Sequence, residues 1–162
     1  GDHFYFGYFG RWVHSVTSLI FFFFSAIMYA GKGVFDLNQN LDCIRDILLL
    51  VEEYTGFNDD MEQQTLPLEK IIELLPNYSR GEIANSFMQL YKGDYIIAMV
   101  VNADNDPLYV AIIHDLTERG SKFLDSIREQ SRWEKLKTLM IEKAIPFILD
   151  KAFDFAISKF SS

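Results

Sequence analysis

The chain has 162 residues, 49% of them hydrophobic, and a net charge of −8; that is enough apolar mass for one domain and an appendage, and it excludes a disordered polar tail. A single cysteine, Cys43, excludes an intramolecular disulfide framework and fits a reducing compartment. The acidity is concentrated: residues 36–114 carry 4 Lys/Arg against 14 Asp/Glu, and residues 115–162 carry 9 against 8. Phosphate affinity comes mainly from Lys and Arg, so this distribution weighs against nucleic-acid binding.

The first segment, residues 1–35, is a hydrophobic leader. Trp12 to Gly31 contains no Asp, Glu, Lys or Arg, and about twenty apolar residues suffice to cross a bilayer. Arg11 and Lys32 stand one on each side of it, so the positive-inside rule gives no orientation. The bulky Met28 two residues before Ala30 spoils a small-x-small cleavage site. Two readings stay open here: a transmembrane segment through residues 12–31, or a stretch outside the folding unit.

From Leu41 the pattern becomes helical. Leu41, Ile44, Ile47, Leu48, Val51 and Tyr54 step by three or four, with Asp42, Arg45, Asp46, Glu52 and Glu53 on the other face. Asn40 is the expected N-cap and Gly56 the expected stop. Residues 57–64 read as an acidic loop. Thr65-Leu66 then reads as a short extended piece and Leu68 to Leu75 as a short helix that Pro76 ends. Ser79-Arg80-Gly81-Glu82 is a capping box ahead of the apolar series Ile83, Phe87, Leu90 and Tyr91. "YIIAMVV" and "LYVAIIH" are strand-like runs joined by the turn residues "NADNDP". Thr117 caps a further helix, and a last amphipathic helix is expected from near Pro146.

Helix, short strand, helix, helix, two-stranded hairpin and more helices is the order of a winged helix. The expected fold is therefore α+β: a winged-helix-like domain over residues 36–130 with a helical C-terminal tail over 131–162. Residues 79–92 form the second helix of its helix-turn-helix, and residues 102–107 form the wing.

Three stretches, "LDCIRDILLLVEE", "LYKGDYIIA" and "DLTERGSKFLDSIREQSRWEKLK", resemble the uncharacterised bacterial and prophage family known as domain of unknown function 2513. Members similarly open with an Asp-Cys-Ile-Arg-Asp-like helix. They close with a segment matched here by Leu116, Thr117, Gly120, Phe123, Leu124, Asp125, Ile127, Arg128 and Trp133. The resemblance runs from about Asp36 to the C-terminus. It implies a winged-helix-like fold and association with phages and mobile elements, and no reaction. It also implies a start just before the helix of Asp42 and Cys43, with no membrane segment ahead; residues before about 36 are expected to be dispensable to the fold.

No residue constellation supports catalysis. His3, His14 and His114 are scattered and Cys43 is alone, so no metal-ligand spacing repeats. His114 beside Asp115 has no nucleophile near it in sequence. Gly31-Lys32-Gly33 lacks the strand and helix of a phosphate loop. Glu52/Glu53 and Asp59/Asp60 are adjacent pairs that point apart. The expectation is a protein without enzymatic activity, metal or cofactor.

Two binding surfaces remain. The outward positions of the recognition helix are Arg80, Asn85, Ser86, Gln89 and Lys92, and Asn, Gln and Arg are side chains that read base edges. Against this stand Glu82 on the same helix and Asp104 and Asp106 on the wing. On the terminal helix, Phe147, Phe153, Ile157 and Phe160 mark an apolar face for packing or dimerisation. The favoured reading is an accessory protein, cytoplasmic, that recognises a protein partner or a second copy of itself. The alternatives are a DNA-binding regulator and a protein tethered to the bacterial inner membrane by residues 12–31.

Overall fold

The computed structural model describes residues 39–160. The leader, and with it the reading of residues 12–31 as a membrane span, lies outside the described residues. Among the described residues no helix is long and apolar enough to cross a membrane.

Helix α1, Leu41–Tyr54, starts where expected: the Asn40 side chain accepts from the Cys43 backbone N–H at 3.0 Å. Thr55 closes it by returning both its N–H and its hydroxyl to the Val51 carbonyl. Gly56 follows at φ +114°, a conformation that L side chains rarely adopt. The stretch expected as a loop carries a small antiparallel pair, β1 (Gly56–Phe57) with β2 (Gln63–Gln64). Its turn is organised by Asn58, whose side-chain oxygen accepts from the N–H groups of Asp60 and Glu62. Such Asx chemistry builds a turn with no apolar alternation to announce it.

Strand β3 (Leu66–Pro67) leads into helix α2 (Leu68–Leu74). Helix α3, Arg80–Lys92, opens on the expected capping box, with Ser79 accepting from Glu82 N–H and the Glu82 carboxylate accepting from Ser79 N–H. Strands β4 (Ile96–Ala103) and β5 (Asp106–Leu116) pair antiparallel, as the two apolar runs predict. Leu66 and Pro67 add to the far side of β5 opposite Ile113 and Ile112, so the sheet order is β3-β5-β4. Helix α4 (Glu118–Ile127) is capped by Thr117, and α5 (Gln130–Glu142) and α6 (Leu149–Phe160) follow. The last helix starts three residues after Pro146. Residues before it are held instead by Gln39, which donates its backbone N–H to Phe147 and accepts Leu149 N–H on its side chain.

One buried cluster joins these elements. Ile44, Ile47, Leu48 and Val51 of α1 meet Ile83, Phe87 and Leu90 of α3, Leu66 and Ile113 of the sheet, and Phe123, Leu124 and Ile127 of α4. Trp133, Leu136, Met140, Leu149, Ala152 and Ala156 enter the same cluster, so α5 and α6 share the core of the helices before them. The result is a mixed α+β domain with six helices and two small antiparallel sheets among the described residues.

Candidate functional site

The first and last of the three family-like stretches meet in space. Trp133 Nε1 donates to Asp42 Oδ1 at 2.6 Å, and Lys137 Nζ donates to the same oxygen at 2.9 Å. Arg45, buried on α1, points every nitrogen at the junction between α4 and α5: Nε to the Ile127 carbonyl, Nη2 to the Arg128 carbonyl and Nη1 to Gln130 Oε1. The first two are backbone carbonyls that the end of α4 leaves without helical partners. Tyr78 donates its hydroxyl to Asp46 at 2.7 Å. Together with Asn40 and Glu134, these side chains line an open, polar cleft of about 410 Å³.

The cleft's charges are matched internally. Burial alone raises the Asp42 carboxyl, but the hydrogen bonds from Lys137 and Trp133 outweigh it and hold the group below its ordinary range. Burial, then the Asp46 carboxylate, pushes the Tyr78 hydroxyl up. Lys137 is committed to Asp42 and Glu134. Among the described residues no group of three or more His, Cys, Asp or Glu is placed to hold a metal ion.

Cys43, between the two charged ends of its motif, is fully buried. Desolvation raises its thiol to about 11, against a weaker opposing hydrogen bond from Ser86. Thiolate is the reacting form, so alkylation by iodoacetamide at pH 8 is expected to follow global unfolding. Denaturant should accelerate it in parallel with the loss of helical circular dichroism. Rapid stoichiometric labelling of the native chain would contradict this burial.

The expected recognition surface on α3 is only partly present. Arg80 is exposed, and Glu69 on α2 engages it through two contacts of 2.7 and 3.3 Å. Asn85 and Lys92 are exposed and Gln89 is half-buried. Ser86 corrects the expectation: it is 3% exposed. Its spacing from Ile83 and Leu90 puts it on the stripe facing α1, where a small hydroxyl fits beside Cys43; polarity alone made it look outward.

Of the terminal-helix set, Phe153 stacks on Phe123 with centroids 6.0 Å apart and meets the Tyr95 ring edge-on at 5.7 Å. The Arg119 guanidinium lies over both Tyr95 and Phe153, and its Nη2 donates to Tyr95 and Asp150. Phe147 and Phe160 pack against the core cluster, and Ile157 is half-buried. Much of this face is therefore occupied by the domain itself.

A third surface was not singled out by the sequence. Ile97, Met99 and Val101, alternate residues of β4, are 52, 48 and 43% exposed. Across the ladder Met99 faces Ile112 and Val101 faces Val110, both half-buried. The outer side of the hairpin is thus apolar from Met99 to Val101, the exposed Asp115 stands opposite Ile97, and β4 is the edge of its sheet. The clue was present in "IIAMVV", which is apolar on both faces although only one side can meet the core.

No curated protein and no solved structure matches the chain. The sequence profile of the family described as "Hypothetical protein (DUF2513)" matches residues 38–146, which takes in both ends of the Asp42–Trp133 meeting, and the chain belongs to that family.

Proposed function

We propose that the domain is a winged-helix-like binding module that works without catalysis and recognises protein through the outer face of its β4–β5 hairpin. The element order and the sheet order β3-β5-β4 support the winged-helix reading. The observation that carries the protein-recognition reading is the contrast between two surfaces. The hairpin face exposes Ile97, Met99 and Val101, with Asp115 opposite Ile97 at one end. The α3 face, where a winged helix would read DNA, has Arg80 engaged by Glu69, and the hairpin tip carries Asp104 and Asp106. A tip of that charge repels phosphate.

Fluorescence anisotropy of labelled duplex DNA, titrated with the full chain at low salt, tests the choice. The expected result is no salt-sensitive binding. Tight binding that weakens steeply with salt and is lost on Arg80→Ala would establish the DNA-binding alternative instead.

A further inference from the structure

We propose that the partner for the β4 edge is a second copy of this chain, added antiparallel so that two sheets become one. This deepens the protein-recognition reading and rests on it. Edge strands ordinarily avoid such pairing by carrying Lys or Pro, or by bulging away from a straight edge. Strand β4, Ile-Ile-Ala-Met-Val-Val-Asn-Ala, has no charged residue and no proline over its eight residues. The ladder does contain two irregularities, but their surplus residues fall on β5. Between the pairs Ile97–Asp115 and Ala98–Ile113 it is His114 that has no opposite number, and between Val101–Val110 and Ala103–Asp106 the surplus lies in Pro107 to Tyr109. The free edge itself is uninterrupted.

The pattern along β4 also suits a copy of itself. A two-fold axis at Met99 sets Met99 against Met99 and Ile97 against Val101 of the other copy. Ile97, Met99 and Val101 then each meet another of the three on the same side of the joined sheet. Apolar and β-branched cross-strand pairs of this kind are the stabilising unit of a sheet. The chain carries a net charge of −8, to which β4 itself contributes nothing, so two copies paired along it set like charges against each other only past its two ends. Asp94 and Asp104 lie just beyond the paired residues. Screening their repulsion strengthens the dimer, so self-association rises with salt, the opposite sign to phosphate binding.

Cysteine cross-linking of the full chain reads the register directly. A disulfide needs Cβ atoms about 3.5–4.5 Å apart. Under mild oxidation Met99→Cys is expected to give a covalent dimer, Ile97→Cys alone to give none, and a mixture of Ile97→Cys and Val101→Cys to give the mixed dimer. Ile141→Cys, 68% exposed on α5, is the collision control, and the native chain controls for Cys43. Sedimentation velocity supplies a second readout: Met99→Lys, or Val101→Lys if the first variant misfolds, shifts a concentration-dependent dimer to monomer. Absence of a Met99→Cys dimer, or equal cross-linking through Ile141→Cys, overturns the proposal. That failure is distinct from failure of protein recognition itself, which would appear as salt-sensitive binding of duplex DNA.

Discussion

Replacing Trp133 by alanine is expected to cost about 3–5 kcal/mol of unfolding free energy, the range for removing a large buried aromatic. Trp133 is 1% exposed and among the largest fully buried side chains. Its loss leaves more than a void. The indole N–H that holds Asp42 disappears, and Arg45 and Lys137 lose the ring they lie over at 5.9 and 5.5 Å. Trp133→Phe separates these contributions, because it keeps most of the volume and removes the donor. Its cost is expected to be about 1.5–3 kcal/mol, that of one lost hydrogen bond to a charged group, since Lys137 still donates to the same oxygen. Urea unfolding followed by circular dichroism gives both numbers; a loss under about 1 kcal/mol for Trp133→Ala would mean that the site is not part of the core.

Asp42 makes the same joint pH-dependent. Its folded carboxyl titrates below the unfolded value, so its contribution is present above the unfolded carboxylate pKa and is lost as pH falls through the folded one. Asp42→Asn is therefore expected to flatten the acid limb of the stability curve.

Gly120→Ala is expected to be as damaging as Trp133→Ala, although it adds one methyl group. A Cβ at position 120 would stand 2.0 Å from the Tyr95 carbonyl oxygen and 3.0 Å from its carbon. Those are backbone atoms, and that carbonyl already accepts Thr117 N–H at 3.1 Å while the Thr117 hydroxyl donates to the Asp94 carbonyl at 2.6 Å. The first turn of α4 is therefore clamped to the start of β4 and cannot retreat without breaking its own cap. A loss of at least about 3 kcal/mol follows, the upper end of overpacking costs. Gly81→Ala is the control. It lies at the exposed start of α3, where the nearest atom to an added Cβ is the Ser79 hydroxyl at 3.9 Å. Helix propensity should leave it neutral or more stable by up to ~1 kcal/mol. Equal melting temperatures for the two variants would contradict the close approach.

The elements that were legible in the sequence announce themselves through short-range chemistry. Asn40, Ser79 and Thr117 cap their helices because a side-chain oxygen three residues ahead of a free N–H is a local arrangement. The hairpin was legible because two apolar runs flank turn residues. What escaped depends on partners distant in the chain. Ser86 is buried because of Cys43, 43 residues earlier, and the late start of α6 is set by Gln39, more than a hundred residues away. The roles of Asp42, Arg45 and Trp133 escaped for the same reason: each appears as an ordinary polar or amphipathic position until α1 and α5 are brought together. The hairpin's outer face was hidden by its strength as a strand pattern, since residues apolar on both faces read first as core.

Hydrogen–deuterium exchange of the full chain tests most directly the claim that this domain binds through its sheet edge and not through α3. Amides of residues 96–103 are expected to gain protection as the chain is concentrated, and to lose that gain in Met99→Lys, while residues 80–92 are unaffected by added duplex DNA at low salt. Protection of residues 80–92 by DNA, with residues 96–103 indifferent to concentration, would contradict it.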